Sequence, residues 1–355
     1  MTSKDRVLAA FNHTEPDRVP INYLCNPGID RRLKNHYGLG EQDHEGLRQR
    51  LNVDFRTIPV RYTGPPLHEV PPGRSVDEWG KHRRWIEHES GGYWDYCDWP
   101  LQNADLEAIE QWPMPSPDDF DYSEIDPLCE TYADYAIVIG NPGVADVINS
   151  TGMVRTMEQV LFDLMTDDPA CLRYIERKTD ITLAVTEHTI ELARGRIDLL
   201  WIGEDLGTQI GPMISPDLYR RHLQPIHQQF IDLAKSHSIP VMVHSCGSSS
   251  WAFDDFIEMG VSIIDTLQPE ADRMAPDYLK STFGDRLAFH GAISTAGAVS
   301  YGSADDTRQD VRNTLETMKP GGGYALAPTH QLQDNSPTEN VVAMYEAAME
   351  FGAYS

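Results

Sequence analysis

A chain of 355 residues, 40% of them hydrophobic, is long enough for one large α/β barrel and apolar enough for a real core. Its 29 basic and 55 acidic residues leave a formal charge of -26, which repels phosphate backbones and argues against nucleic acid as a partner. A mean hydropathy of -0.44, with no apolar run approaching the roughly 18 residues of a membrane span, excludes a transmembrane helix.

Five cysteines at irregular positions (Cys25, Cys97, Cys129, Cys171 and Cys246) form no disulfide framework. In a chain this long they point to a reducing compartment, where cysteine is buried or a ligand. The charged start, MTSKDRVLAAFNHTEPDR, lacks the apolar centre of a signal peptide, so the expected location is cytoplasmic.

In chain order, Val7, Leu8 and Phe11 lie at helical spacing in a first helix from Ser3 to His13, with Ser3 as a candidate cap, ended by Pro16. Arg18 to Leu24 reads as a first strand, Ile29 to Tyr37 as a helix, and Val53 to Val60 as a second strand. Residues 62–134 then lose periodicity. They carry Pro-Pro pairs and dense aromatics, among them Trp79, Trp85, Tyr93, Trp94, Tyr96, Trp99 and Trp112. A stretch of that kind reads as an insertion or lid, with a hairpin around Glu89-Ser90-Gly91. Most of the aromatics are expected to pack it onto the barrel, and one or two to line a pocket.

A regular alternation follows. Strands are expected at 136–140, 198–203, 239–243, 261–266, 286–289 and 323–327. Helices are expected at 151–165, 169–194, 216–237, 253–259, 278–283, 305–318 and 338–351. About eight strands alternating with helices give a (β/α)8 barrel in a single domain, 1–355, with the 62–134 insertion after the second strand. A doubly wound sheet is the alternative, but no G-x-G-x-x-G follows an early strand.

The chemistry gathers where the strands end. Ile239-Pro240-Val241-Met242-Val243 is a buried parallel strand that stops at His244-Ser245-Cys246-Gly247. His244 and Cys246, two apart, share a face, and an imidazole beside a thiolate suits a borderline-soft ion such as Zn2+. The other strand ends supply Asn22, Asn141, Glu204-Asp205, Gln268, His290 and His330. A catalytic zinc site needs about three protein ligands and an open position. His330, closing the last strand, is the expected third. Glu204 or Asp205 is either a further ligand or a group that orients an imidazole. Taken singly, Asn141 before a proline also reads as a turn residue, and Glu204-Asp205 as a helix cap.

Several stretches together resemble the uroporphyrinogen decarboxylase superfamily: RVLAAFNHTEPDRVPI, WIGEDLGTQIGPMISPDLYRRHLQPIH, VMVHSCGSSSWAFDDFIEMGVSIIDTLQPEADRM, FGDRLAFHGAIS and GGGYALAPTHQLQDNSPTENVVAMYEAA. The resemblance implies a (β/α)8 barrel with a deep site at its C-terminal mouth. The arginine-rich segment that true uroporphyrinogen decarboxylases carry after the first strand is replaced here by Asn22-Tyr23-Leu24-Cys25-Asn26-Pro27-Gly28. The zinc- and corrinoid-dependent methyltransferase branch uses an H-x-C pair and a later cysteine. His244 and Cys246 match the pair, no cysteine follows, and His330 stands roughly where that ligand belongs.

The expectation is therefore a cytoplasmic zinc enzyme that moves a methyl group between a small methylated substrate, such as a methyl ether, and a corrinoid (cobalamin) on a partner protein. In this reading His244, Cys246 and His330 bind zinc. Glu204, Asp205 and His290 are catalytic, and Asn22, Asn141 and Gln268 contact substrate. The alternative is a metal-free lyase acting on a non-porphyrin acid, and a third class is a non-catalytic binder of a corrinoid or tetrapyrrole. Homodimerisation stays open.

Overall fold

In the computed structural model, which describes residues 1–88 and 91–354, seven parallel strands form one sheet in simple chain order. They are β1 (Phe55–Thr57), β2 (Ala136–Gly140), β3 (Leu199–Gly203), β4 (Val241–His244), β5 (Ile263–Thr266), β6 (Ala288–Ile293) and β7 (Tyr324–Pro328). Their residues are almost all buried, which explains why they read as unbroken apolar runs rather than alternating ones.

The expected first strand is shorter than the sequence suggests. Ile21 makes one parallel bridge to Leu326 of β7, with Asn22 N–H donating to the Leu326 carbonyl and Leu326 N–H to the Pro20 carbonyl, each at 2.8 Å. On the other side, Asp54 N–H donates to the Ile21 carbonyl at 2.8 Å. Residues 20–22 thus join the two edges of the sheet. The ladder stays short because Pro20 has no N–H to give. The N–H of Ile21 goes instead to the Asp54 carboxylate at 2.8 Å, and Asp54 is also ion-paired to Arg6 and Arg18.

The barrel interior is filled by Phe55, Val138, Trp201, Met242, Ile263, Ala288 and Ala325, and plugged by Val7 and Phe11 from helix Ser3–Phe11. Each large apolar side chain so buried contributes about 1.5–3 kcal/mol. The parallel register then places Gly203 beside His244, His244 beside Asp265, Asp265 beside His290, and His290 beside Ala325. Polar residues from three adjacent strands therefore occupy one layer.

Most expected helices appear within a few residues of their predicted ends. The 151–165 helix is instead two, Ile148–Arg155 and Met157–Thr166, broken at Thr156, whose φ is +67°. Helices His44–Arg50, Leu106–Gln111, Ile125–Thr131 and Ala298–Tyr301 were not anticipated.

Between β1 and β2, Arg61–Tyr62 pairs with Phe120–Asp121, and His82–His88 pairs antiparallel with Gly91–Tyr96. The second pair is the expected hairpin; its turn residues Glu89 and Ser90 lie outside the described residues. Trp85, Tyr93 and Trp94 on this hairpin are about half exposed. Trp85 and Trp94 pack against each other, ring centroids 5.7 Å apart, while Tyr93 lies beside His88.

Candidate metal centre

Where β4 ends, the Cys246 Sγ lies 3.4 Å from His244 Nε2. The next strand over contributes Asp205, whose Oδ1 is 3.7 Å from the same nitrogen and accepts the Cys246 N–H at 2.8 Å. One donor atom from each of Asp205, His244 and Cys246 falls within 4.8 Å of the others, and this is the one such group of three among the described residues. The other Asp205 oxygen is fixed by the side-chain amide of Asn149, which donates at 2.8 Å.

Behind His244 stands Asp265. Its Oδ2 is 2.7 Å from His244 Nδ1, with the Thr266 hydroxyl 2.6 Å from that nitrogen. With Nδ1 so engaged, Nε2 faces Asp205 and Cys246. Asp265 Oδ1 lies 2.5 Å from His290 Nδ1, and the Asn22 amide donates to His290 Nε2 at 3.0 Å. That donation makes Nδ1 the protonated nitrogen of His290, so His290 donates to Asp265. Thr266 holds its place with φ at +92°, an uncommon backbone state for a β-branched residue.

Burial alone would raise the Asp265 carboxyl, yet the two imidazoles hold it well below the usual carboxylate range. Burial pulls His244 down, but its bonds to Asp265 and Cys246 outweigh this, and the imidazole lies well above its ordinary value. The Cys246 thiol is pushed up by burial, against the opposing pull of His244. A half-buried nitrogen, sulfur and carboxylate oxygen converging on one point form a donor set suited to a borderline-soft divalent cation, with a carboxylate orienting the histidine from behind.

The other expected site residues fall elsewhere. His330 is exposed, its Nδ1 3.4 Å from the Gln331 carbonyl, and it is not part of the donor group. It follows the last residue of β7 by two positions, and Asp205 is the residue that lies beside His244 and Cys246 instead. Glu204 is 1% exposed and accepts the N–H groups of Val147 (2.7 Å) and Ile148 (3.1 Å). It therefore caps helix Ile148–Arg155, the element that carries Asn149, and burial pushes its pKa up to about 8. His290 is fully buried and Asn22 nearly so, so they form the rear of the network rather than its face. Gln268 accepts the Gly247 N–H at 3.2 Å and steadies the turn after Cys246. Asn141 is exposed and closes its own turn on the Gly143 N–H.

Three residues were missed. Asp265 had a signal, a lone acid inside the run Ile263-Ile264-Asp265-Thr266. Asn149 had none. Trp201 read as core, which it is, but its ring lies 6.4 Å from both the His244 and His290 rings. Its buried indole N–H has no partner among the described residues.

The sequence model described as uroporphyrinogen decarboxylase (URO-D) matches residues 134–351. No curated protein sequence matches the chain. Among solved structures, a methyltransferase from Methanosarcina mazei is 19% identical, with 99% of each chain covered and a TM-score of 0.63, a likeness of fold. A D-psicose 3-epimerase is 13% identical over 66% of this chain and 83% of that one, with a TM-score of 0.33. A D-allulose 3-epimerase from Methylomonas sp. is 15% identical over 66% and 82%, with a TM-score of 0.35.

Proposed function

The chain belongs to the uroporphyrinogen decarboxylase family, and from that premise we propose that it is a zinc-dependent methyltransferase. In this reading it moves a methyl group between a small methylated substrate, such as a methyl ether, and a corrinoid carried on a partner protein. The observation that carries the reading is the convergence of Asp205, His244 and Cys246, with the His244 ring turned toward the other two by Asp265. Those three residues would hold the ion. When bound, zinc supplies Lewis-acid polarisation of a substrate oxygen or sulfur and lowers that atom's pKa.

This chain's own groups account for the rest. Asp265 and Thr266 keep Nδ1 of His244 engaged, so that only Nε2 is offered. Asn149 and the Cys246 N–H orient the Asp205 carboxylate. The unpartnered Trp201 N–H is the donor left for a substrate oxygen, since a buried donor without a partner carries a desolvation cost that a ligand would relieve. His290 and Asn22 act at one remove, by holding Asp265.

The test is metal analysis of the purified protein, together with methyl transfer from methyl ethers to a reduced corrinoid protein. One equivalent of zinc, and loss of both zinc and transfer in Cys246→Ala, is the expected result. A folded wild-type protein without metal that releases carbon dioxide from a carboxylic acid, unchanged in Cys246→Ala, would overturn the reading in favour of a lyase.

A further inference from the structure

Away from the metal cluster, a second cavity of about 270 Å³ lies between residues 77–81, Phe120 and helix Pro169–Ala193. It shares Asn141, Val144, Thr182 and Val185 with an adjoining, largely apolar cavity of about 250 Å³ that runs past Ile58 and Val60. The protein has seven lysines against 55 acidic residues, and two of the seven, Lys81 and Lys178, line this cavity.

The two cations are compensated differently. Lys178 is buried; its Nζ donates to the Ser150 hydroxyl at 2.6 Å and to the Asp146 carbonyl at 3.3 Å, and lies 5.9 Å from the Trp79 ring centroid. Lys81 Nζ makes no ion pair and no hydrogen bond among the described residues. The acid nearest in sequence, Asp77, is already committed. Its carboxylate pairs with Arg83 at 2.8 Å and accepts the N–H groups of Trp79 and Lys81. Burial holds the Lys81 ammonium below its ordinary pKa, and the neighbouring acids Asp77, Asp146 and Glu78 offset this only in part.

We propose that this cavity binds a small organic monocarboxylate with an aromatic or branched apolar body, its carboxylate paired to Lys81 and its body against Trp79, Phe120 and Val185. A cation in a cavity of mixed lining, with Trp79, Phe120, Val144 and Val185 as its apolar surface and a second, largely apolar cavity adjoining it, matches that chemistry. A dianion such as phosphate would meet Glu78, which also lines the cavity, and would gain nothing from the apolar walls. The cavity shares no residue with the metal cluster, so its test is independent of methyl transfer.

The probe is benzoate, with benzyl alcohol as the uncharged analogue, titrated into the full-length protein while tryptophan fluorescence is followed. Saturable quenching by benzoate is expected, lost in Trp79→Phe. A charge-assisted bond predicts about tenfold weaker binding of benzyl alcohol, and of benzoate to Lys81→Gln. Glu78→Gln should bind benzoate more tightly, because a like charge is removed. As a second readout that needs no variant, benzoate should protect Lys81 from acetylation by acetic anhydride, as read by mass spectrometry. Equal binding of the acid and the alcohol, unchanged affinity in a folded Lys81→Gln, or no protection of Lys81 would each overturn the proposal.

Discussion

Asp265 stands between two imidazoles, one oxygen 2.7 Å from His244 Nδ1 and the other 2.5 Å from His290 Nδ1. That arrangement decides which face of His244 the site can use. Asp265→Asn keeps the shape but removes the charge that anchors His244. A fall of about 10–100-fold in zinc affinity is expected, measured by chelator competition. An affinity equal to wild type would show that the carboxylate does not orient the ligand.

Asp205→Ala and His330→Ala separate the two candidates for third donor. The first should lose zinc and the second should retain it, because His330 is exposed and outside the donor group. Metal content by elemental analysis decides between them, and loss of zinc in His330→Ala alone would reverse the assignment.

Trp201→Phe removes one N–H and preserves most of the ring. A net hydrogen bond of about 0.5–1.5 kcal/mol predicts a loss of roughly 2–12-fold in kcat/KM. Zinc content should be unchanged, since Trp201 offers the metal nothing.

Glu204 has its pKa raised, to about 8, chiefly by burial. A carboxyl raised in the folded state binds its proton more tightly there than in the unfolded chain. Its contribution to stability is therefore complete below the unfolded value and is lost as pH rises through about 8. Wild-type stability should decline across that window with a slope of up to about 1.4 kcal/mol per pH unit from this group. Glu204→Gln should flatten the slope in denaturant titrations run at several pH values. The variant should also be less stable at low pH by about 1 kcal/mol, because one amide oxygen replaces two acceptors at the Val147 and Ile148 N–H groups.

At the opposite end of the barrel, Asp54 is fully buried between Arg6 and Arg18, each 2.7 Å away, and accepts the Ile21 N–H. Asp54→Ala leaves two arginines and a backbone donor without their anion. A loss of about 3–5 kcal/mol in unfolding free energy is expected, measured by urea titration. A smaller loss would mean that residues 18–22 are held chiefly by the β7 bridge.

Much of the scaffold was legible in the residues. The apolar runs from β2 onward and the helical spacings between them gave the alternation, because strands buried on both faces are nearly continuous in valine, isoleucine and leucine. His244 and Cys246 were legible because two positions along one strand end must share a face. The Arg18–Leu24 run misled, since its apolar composition does not reveal that Pro20 lacks a donor and that Asp54 takes the next N–H. In the Trp-rich stretch Trp112 packs against the cluster of Val154 and Tyr174 as expected, and Trp85 and Trp94 depart from that reading. Cross-strand pairing lets Trp85 and Trp94 shelter each other while staying half exposed.

By itself, then, the order of residues determined the strand-and-helix repeat, the polar strand ends and the imidazole–thiol pair, all of which depend on neighbours a few positions apart. Only the tertiary structure decided that Asp205 rather than His330 lies beside His244 and Cys246, that Glu204 caps a helix, and that Asp265 and His290 stand behind His244. Those outcomes follow from the register of parallel strands dozens of residues apart and from the point at which each chain turns outward after its strand. Side-chain periodicity along a single strand carries no information about either.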